Sequence, residues 1–169
     1  MQVIHVARLR MPLLGVIHVA ASALGVLRVS LSDDGEALAR DLRRAYPQAT
    51  LKKGGGFTVD AGRQIRRYLE GGPSPDVPVV LPDQGFSARV WRQIQRIPRG
   101  QVRSYARIAK DLRTPQAARA VGGACGRNPV PLVVPCHRVV TADRHLGGFT
   151  GGLDLKRKLL ALEGVELAG

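Results

Sequence analysis

Three prolines fall within seven residues of the segment Asn128-Pro129-Val130-Pro131-Leu132-Val133-Val134-Pro135-Cys136-His137-Arg138-Val139-Val140. Each proline fixes its own φ and restricts the residue before it, so Leu132-Val133-Val134 has little freedom. The direction in which Cys136 points is therefore set locally. The cysteine ends an apolar run and is followed by a histidine and an arginine. A thiol beside positive potential can ionise near neutral pH, and the thiolate is a strong nucleophile.

Charge reinforces the importance of this region. The 169-residue chain carries a formal net charge of +13, and the excess is uneven. Residues 1–82 hold 11 basic and 7 acidic side chains, while residues 83–169 hold 15 and 6. Between Gln84 and Arg144, 12 basic residues face only Asp111 and Asp143. Such a balance points to a polyanionic partner, nucleic acid before an anionic membrane. No segment is long and clean enough to span a bilayer. Two cysteines, Cys125 and Cys136, make no disulfide framework in a chain of this length and fit a reducing compartment.

Residues 1–82 read as mixed α/β. Arg8 and Arg10 precede an apolar stretch, Met11 to Leu27, which can be taken as a secretory signal ending at Ala21-Ser22-Ala23. His18, Gly15 and Gly25 interrupt it, and Gly15–Val19 and Val26–Leu31 fit better as two strands joined by a short turn. Asp34 to Tyr46 has helical composition, with Leu38, Leu42 and Ala45 on one stripe and Pro47 as its stop. Lys52-Lys53-Gly54-Gly55-Gly56 reads as a loop. Asp60 is a candidate cap for a helix bearing Ile65 and Leu69. Val77 to Leu81 is a candidate extended segment, and Pro82-Asp83-Gln84-Gly85 a domain boundary.

Residues 83–169 read as mainly helical. Phe86, Val90, Ile94 and Ile97 recur at helical spacing until Pro98-Arg99-Gly100. Ser104 can cap a helix through Leu112, and Thr114 before Pro115 predicts a second helix over Gln116 to Ala124. Two short helices around a tight connection suggest a helix-turn-helix. Leu155, Leu159 and Leu162 form the expected stripe of a last helix, with Gly164 past its end.

Taken alone, Cys136 and His137 allow several chemistries. Zinc needs four suitably spaced ligands, and only Cys125, His137 and His145 lie near, without a CxxC pair. A cysteine hydrolase needs a histidine and an orienting group. A small buried cysteine can also simply pack.

A resemblance separates these. The Pro135-Cys136-His137-Arg138-Val139 segment resembles the active-site segment of the O6-alkylguanine-DNA alkyltransferases. Four further stretches resemble the same family in order. They are Trp91 to Gly100 with Ser104-Tyr105, Ala117 to Ala124, Gly148 to Leu153, and Leu159 to Gly164. Together they cover nearly all of 86–164, whereas the first 82 residues match only in size and strand-and-helix character. The implied fold is α/β: an RNase H-like sheet domain over 1–82, and a winged helix-turn-helix domain over 83–169 that carries the site.

The implied function is direct reversal of O6-alkylguanine damage in duplex DNA, extending in principle to O4-alkylthymine. The alkyl group moves irreversibly to the protein's own cysteine, one turnover per molecule and without cofactor. The resemblance makes Cys136 the nucleophile, activated through His137 by way of a water, with Glu163 completing the relay. Glu163 falls in the last turn of a helix, where the dipole disfavours a carboxylate and favours its taking a proton. Arg119 fills the space left by the flipped base, and Tyr105 turns the nucleotide out and donates to a ring nitrogen. Ala118, Ala120 and Gly122 let a helix approach the minor-groove walls. Val139, Phe149 and Thr150 line the pocket, Asn128 shapes the active-site turn, and Arg138 ties loops together.

Some members hold zinc in the first domain, but no cysteine precedes Cys125, so no metal is expected. Phe149 stands where some relatives have tyrosine. The expected protein is a cytoplasmic monomer, nuclear in a eukaryote, whose copies can associate along DNA. The contrasting reading is a damage binder or helix-turn-helix regulator without chemistry, against which the reactive setting of Cys136 argues.

Overall fold

The two strands expected near the amino terminus form one edge of a four-stranded sheet. In the computed structural model, which describes residues 1–82 and 84–167, the chain divides into one unit over Met1–Leu81 and a second from Pro82 onward. The described residues are mixed α/β, with a four-stranded sheet, a two-stranded sheet and six α-helices.

In the first unit, β1 (Val3–Met11), β2 (Gly15–Ser22) and β3 (Gly25–Ser30) form an antiparallel meander. β4 (Thr50–Lys53) then pairs in parallel with β1, giving the order β3-β2-β1-β4. The stretch that resembled a secretory signal is thus strand, turn and strand. Between β1 and β4 the chain crosses over through α1 (Gly35–Ala45), whose amino end is closed by Asp34 accepting from the Ala37 amide at 2.9 Å. Leu38 and Leu42 of α1 pack on Ile4, Ala20 and Leu27 of the sheet. Ala45, expected on the same stripe, is exposed.

Two further expectations shift here. Lys52 and Lys53 belong to β4 rather than to a loop, because their backbone pairs with His5 and Val6. Helix α2 (Phe57–Leu69) begins as soon as the left-handed run Gly54-Gly55-Gly56 ends. Asp60 therefore lies inside the first turn, where a carboxylate suits the helix dipole, and does not cap it. α2 packs on β1, β2 and β3. After it, Val26 and Val79 form an isolated bridge, with Val26 N–H donating to Pro78 O and Val80 N–H to Val26 O, both at 2.8 Å. Gly25 permits this approach, since a Cβ there would stand 2.5 Å from Pro78 O.

The second unit places α3 (Phe86–Gln95), β5 (Arg103–Ser104), α4 (Tyr105–Asp111) and α5 (Ala118–Gly126) in order. A short 3-10 turn (Cys136–Arg138), β6 (Val139–Val140) and α6 (Leu153–Leu162) complete it. Ser104 caps α4 as expected, accepting from Arg107 N–H at 3.0 Å. Thr114 does not cap α5. Arg113 takes a left-handed φ of 60°, and Thr114 N–H closes the end of α4 on Ala109 O at 2.9 Å. Thr114 is thereby committed to ending one helix, and the next starts only at Ala118. In α6 the fully buried leucines are Leu159 and Leu160, while Leu155 and Leu162 are partly covered.

Candidate active site and nucleic-acid interface

The loop before Cys136 is held by one side chain. Asn128 accepts from Val130 N–H at 3.0 Å and donates to Val134 O at 2.7 Å, bracketing the proline-bound run. Within the bracket, Leu132 adopts a positive φ of 74° yet is only 1% exposed. That left-handed conformation is unfavourable for a bulky side chain, and burial of an apolar one offsets it. The chain leaves the loop through the 3-10 turn and enters β6. There Val139 and Val140 pair in parallel with Arg103 and Ser104. This two-residue ladder brings Tyr105, the first residue of α4, to the Cys136 segment.

Cys136 lines a cavity of about 670 Å³ together with Tyr105, Ala118, Arg119, Gly122 and Cys125. Gly126, Gly148, Phe149 and Thr150 complete the lining. Of the expected pocket residues, Phe149 and Thr150 lie on this wall, and the Thr150 hydroxyl donates to Gly126 O at 3.2 Å, fastening the rim to the end of α5. Val139 is fully buried in β6, and its carbonyl is engaged by Lys156. Arg119 and Ala120 are exposed on α5, and the base of that helix is fixed by the Trp91 indole donating to Ala124 O at 2.8 Å.

Behind the thiol lies a buried charged group. His137 Nε2 and Glu163 Oε1 are 2.9 Å apart, and both side chains are inaccessible to solvent. Arg138 grips the same carboxylate, Nε reaching Oε2 at 3.0 Å and Nη2 reaching Oε1 at 2.7 Å, while Nη1 donates to Ile97 O. A carboxylate gripped this way is held ionised by a fixed cation. Glu163 is thus paired with Arg138 as well as with His137, a partner that the helix dipole gives no hint of. A carboxylate that accepts from Nε2–H leaves Nδ1 as the ring nitrogen with the lone pair. Burial pushes the His137 pKa down despite Glu163, so the ring is neutral.

The thiol also differs from expectation. Burial raises the Cys136 pKa, and the Asn128 hydrogen bond and the Lys156 charge only partly oppose this. Desolvation of a nearly enclosed sulfur outweighs the nearby positive charge.

Lys156 is the functional residue that sequence reasoning missed. It is fully buried on α6, and its ammonium donates to Val139 O at 2.6 Å and Gly148 O at 2.9 Å. It lies 5.9 Å from the centre of the Tyr105 ring, and burial lowers its pKa to about 8. Lys156 thus joins the strand behind the thiol to the loop at the pocket mouth. Tyr105, half-buried, has its own pKa raised by burial and remains a proton donor.

Comparison with known proteins identifies the family. Residues 85–165 match the family described as 6-O-methylguanine DNA methyltransferase, DNA binding domain. A methylated-DNA–protein-cysteine methyltransferase of Mycolicibacterium paratuberculosis is 53% identical over 104 residues, 61% of this chain and 63% of its own length. The inducible methylated-DNA–protein-cysteine methyltransferase of Bacillus subtilis is 37% identical over 148 residues, 86% of this chain and 83% of its own length. Among solved structures, Mycobacterium tuberculosis OGT in complex with DNA superposes with a TM-score of 0.78 at 33% identity. That match covers 94% of this chain and 92% of the other. By these similarities, the chain belongs to the methylated-DNA–protein-cysteine methyltransferase family.

Proposed function

We propose that this chain repairs duplex DNA by moving the alkyl group of O6-alkylguanine onto Cys136 in a single irreversible turnover. The observation that carries this reading is the meeting of Cys136, Tyr105 and the Arg119 end of α5 in one cavity, with His137 directly behind the thiol.

The chemistry is in-line displacement. Cys136 sulfur attacks the alkyl carbon, the bond from that carbon to O6 breaks, and the electron pair leaves with guanine. The thiol proton passes by way of a water to His137 Nδ1, which Glu163 and Arg138 hold in the receptive tautomer. Tyr105 donates to a ring nitrogen of the departing base, so charge is relieved where it develops. His137 then releases its proton to water, and the departing guanine takes one up through Tyr105 and water. On balance one proton moves from thiol to guanine, and a thioether with no easy return to thiol remains. No cofactor enters this exchange.

DNA is engaged through α5. Ala118, Ala120 and Gly122 allow close approach to the minor groove, and Arg119 occupies the space of the extruded nucleotide. The basic surface of residues 84–144 supplies weakly sequence-specific, salt-sensitive affinity. We read α4 and α5 with the β5–β6 ladder as a winged helix-turn-helix, and the first unit as RNase H-like. The boundary near residue 82 divides these two domains. Among the described residues no helix is long and apolar enough to cross a membrane, and both cysteines are free. This favours a cytoplasmic monomer acting on DNA.

The test is intact-protein mass spectrometry after incubation with duplex DNA bearing one O6-methylguanine. One methyl group per molecule, absent from Cys136→Ala, is the expected result. Tight binding of the lesion without any mass gain would replace repair by damage recognition.

A further inference from the structure

The reaction described above uses one thiol, yet the pocket has two. Cys125, in the last turn of α5, lines the same cavity as Cys136, is 8% exposed, and forms no disulfide. The two positions are tied through Asn128. Its backbone N–H donates to Cys125 O at 3.2 Å, and its side chain donates to Val134 O at 2.7 Å, two residues before Cys136. Both cysteines line the cavity they share, and both are free thiols.

From this arrangement we propose that Cys125 and Cys136 form a dithiol site for monosubstituted trivalent arsenic compounds, which close the repair pocket by bridging the two sulfurs.

Charge and valence select this ligand class. Burial pushes the Cys125 thiol up to about 12, the neighbouring Cys136 sulfur adding to the rise, and burial raises Cys136 as well. A divalent cation would require two thiolates in a desolvated space, which is costly. Among the described residues, no group of three or more histidine, cysteine or acidic side chains is placed to complete a coordination shell. Trivalent arsenic needs two sulfurs only and gives a neutral product from neutral thiols. Its third substituent, an aryl or alkyl group, finds space in a cavity of about 670 Å³ beside Phe149, Ala118 and Gly122.

The step balances without any oxidant. A hydrated arsine oxide, R–As(OH)2, meets two thiols. Two arsenic–oxygen bonds break and two arsenic–sulfur bonds form. Each thiol proton leaves on a hydroxide as water, and arsenic stays trivalent throughout.

Phenylarsine oxide is the probe, and intact-protein mass spectrometry the readout, on the full chain without DNA. The wild type is expected to take up one phenylarsenic group with loss of both thiol hydrogens. The adduct should survive excess 2-mercaptoethanol and be removed by dithiothreitol, because a bridged arsenic yields only to another dithiol. Cys125→Ser and Cys136→Ser should each lose the monothiol-resistant adduct completely. A wild-type adduct stripped by 2-mercaptoethanol, or two arsenic groups on one molecule, would overturn the proposal, and this outcome needs no variant to fold. Methyl acceptance, measured on the untreated protein, tests the repair reading separately. A bridged adduct on a protein that accepts no methyl group would uphold the dithiol site and sink only that reading.

Discussion

Arg138 holds Glu163 through two guanidinium nitrogens, and both side chains are almost wholly removed from water. The pair is the fixed wall against which His137 is set. A buried pair broken at one end leaves an unpaired charge, which costs about 3–5 kcal/mol. Arg138→Met should therefore destabilise the protein by that order in urea unfolding. A loss within the range of exposed ion pairs, below about 1 kcal/mol, would contradict the structure.

Glu163→Gln tests the same wall from the side of the chemistry. A glutamine can donate to Nε2 and so favour the wrong imidazole tautomer, while keeping much of the shape. Transfer from DNA should slow by about 100-fold or more, the usual range for a lost general base. Affinity for the lesion should be little changed. Single-turnover rates beside equilibrium binding would separate the two effects, and an equal loss in both would refute the assignment.

Lys156 gives stability a pH dependence of definite sign. In the folded protein its proton leaves near pH 8, whereas in the unfolded chain it is kept to about the ordinary 10.5. Between those values the unfolded state binds more protons, so this site's contribution to stability rises with pH. Below about 8 the cost of the buried charge is present in full. The stability of wild type relative to Lys156→Met should therefore climb between pH 8 and 10.5. A difference that stays constant across that window would show that the ammonium is not buried.

Gly147 lies in left-handed backbone, φ 70°, and a Cβ there would stand 2.7 Å from the Tyr105 hydroxyl. Gly147→Ala should displace Tyr105 and slow transfer. Gly15, at φ 73° with nothing within 4 Å, supplies the control. Gly15→Ala carries the backbone strain, about 1–3 kcal/mol, without touching the site. Stability should fall in both variants and the transfer rate only in the first.

Arg119→Ala removes an exposed side chain from the pocket rim and leaves the thiol in place. Transfer from duplex DNA should weaken strongly, while transfer from the free O6-methylguanine base should be preserved. Equal losses on both substrates would move Arg119 from base extrusion to the chemistry.

How much of this was legible in the sequence depended on whether the determinants were local. The Cys136 segment carries its own constraints, and Asn128, Pro131 and Pro135 lie within a few residues of the thiol. The strand alternation of β1, exposed Arg8 and Arg10 beside covered Leu9 and Met11, was hidden by the apolar run that follows it. Lys156 gave no signal, since a lysine on a terminal helix ordinarily faces water. Only the convergence of the Val139 and Gly148 carbonyls, brought together by the fold, turns it inward. Likewise the pairing of Glu163 with Arg138 joins residues 25 apart in sequence, so the dipole of the helix alone gave no sign of it.

The bridge between Val26 and Val79 has a consequence for solubility. β3 is an outer strand, and an open outer strand offers unpaired amides and carbonyls to any neighbouring chain. Here Pro78 and Val80 occupy those groups on both sides of Val26. At the opposite margin, β4 presents the exposed Lys52 and Lys53, whose like charges discourage stacking. One margin is thus interrupted by backbone at Val26 and the other carries like charges, and each discourages copies from stacking edge to edge.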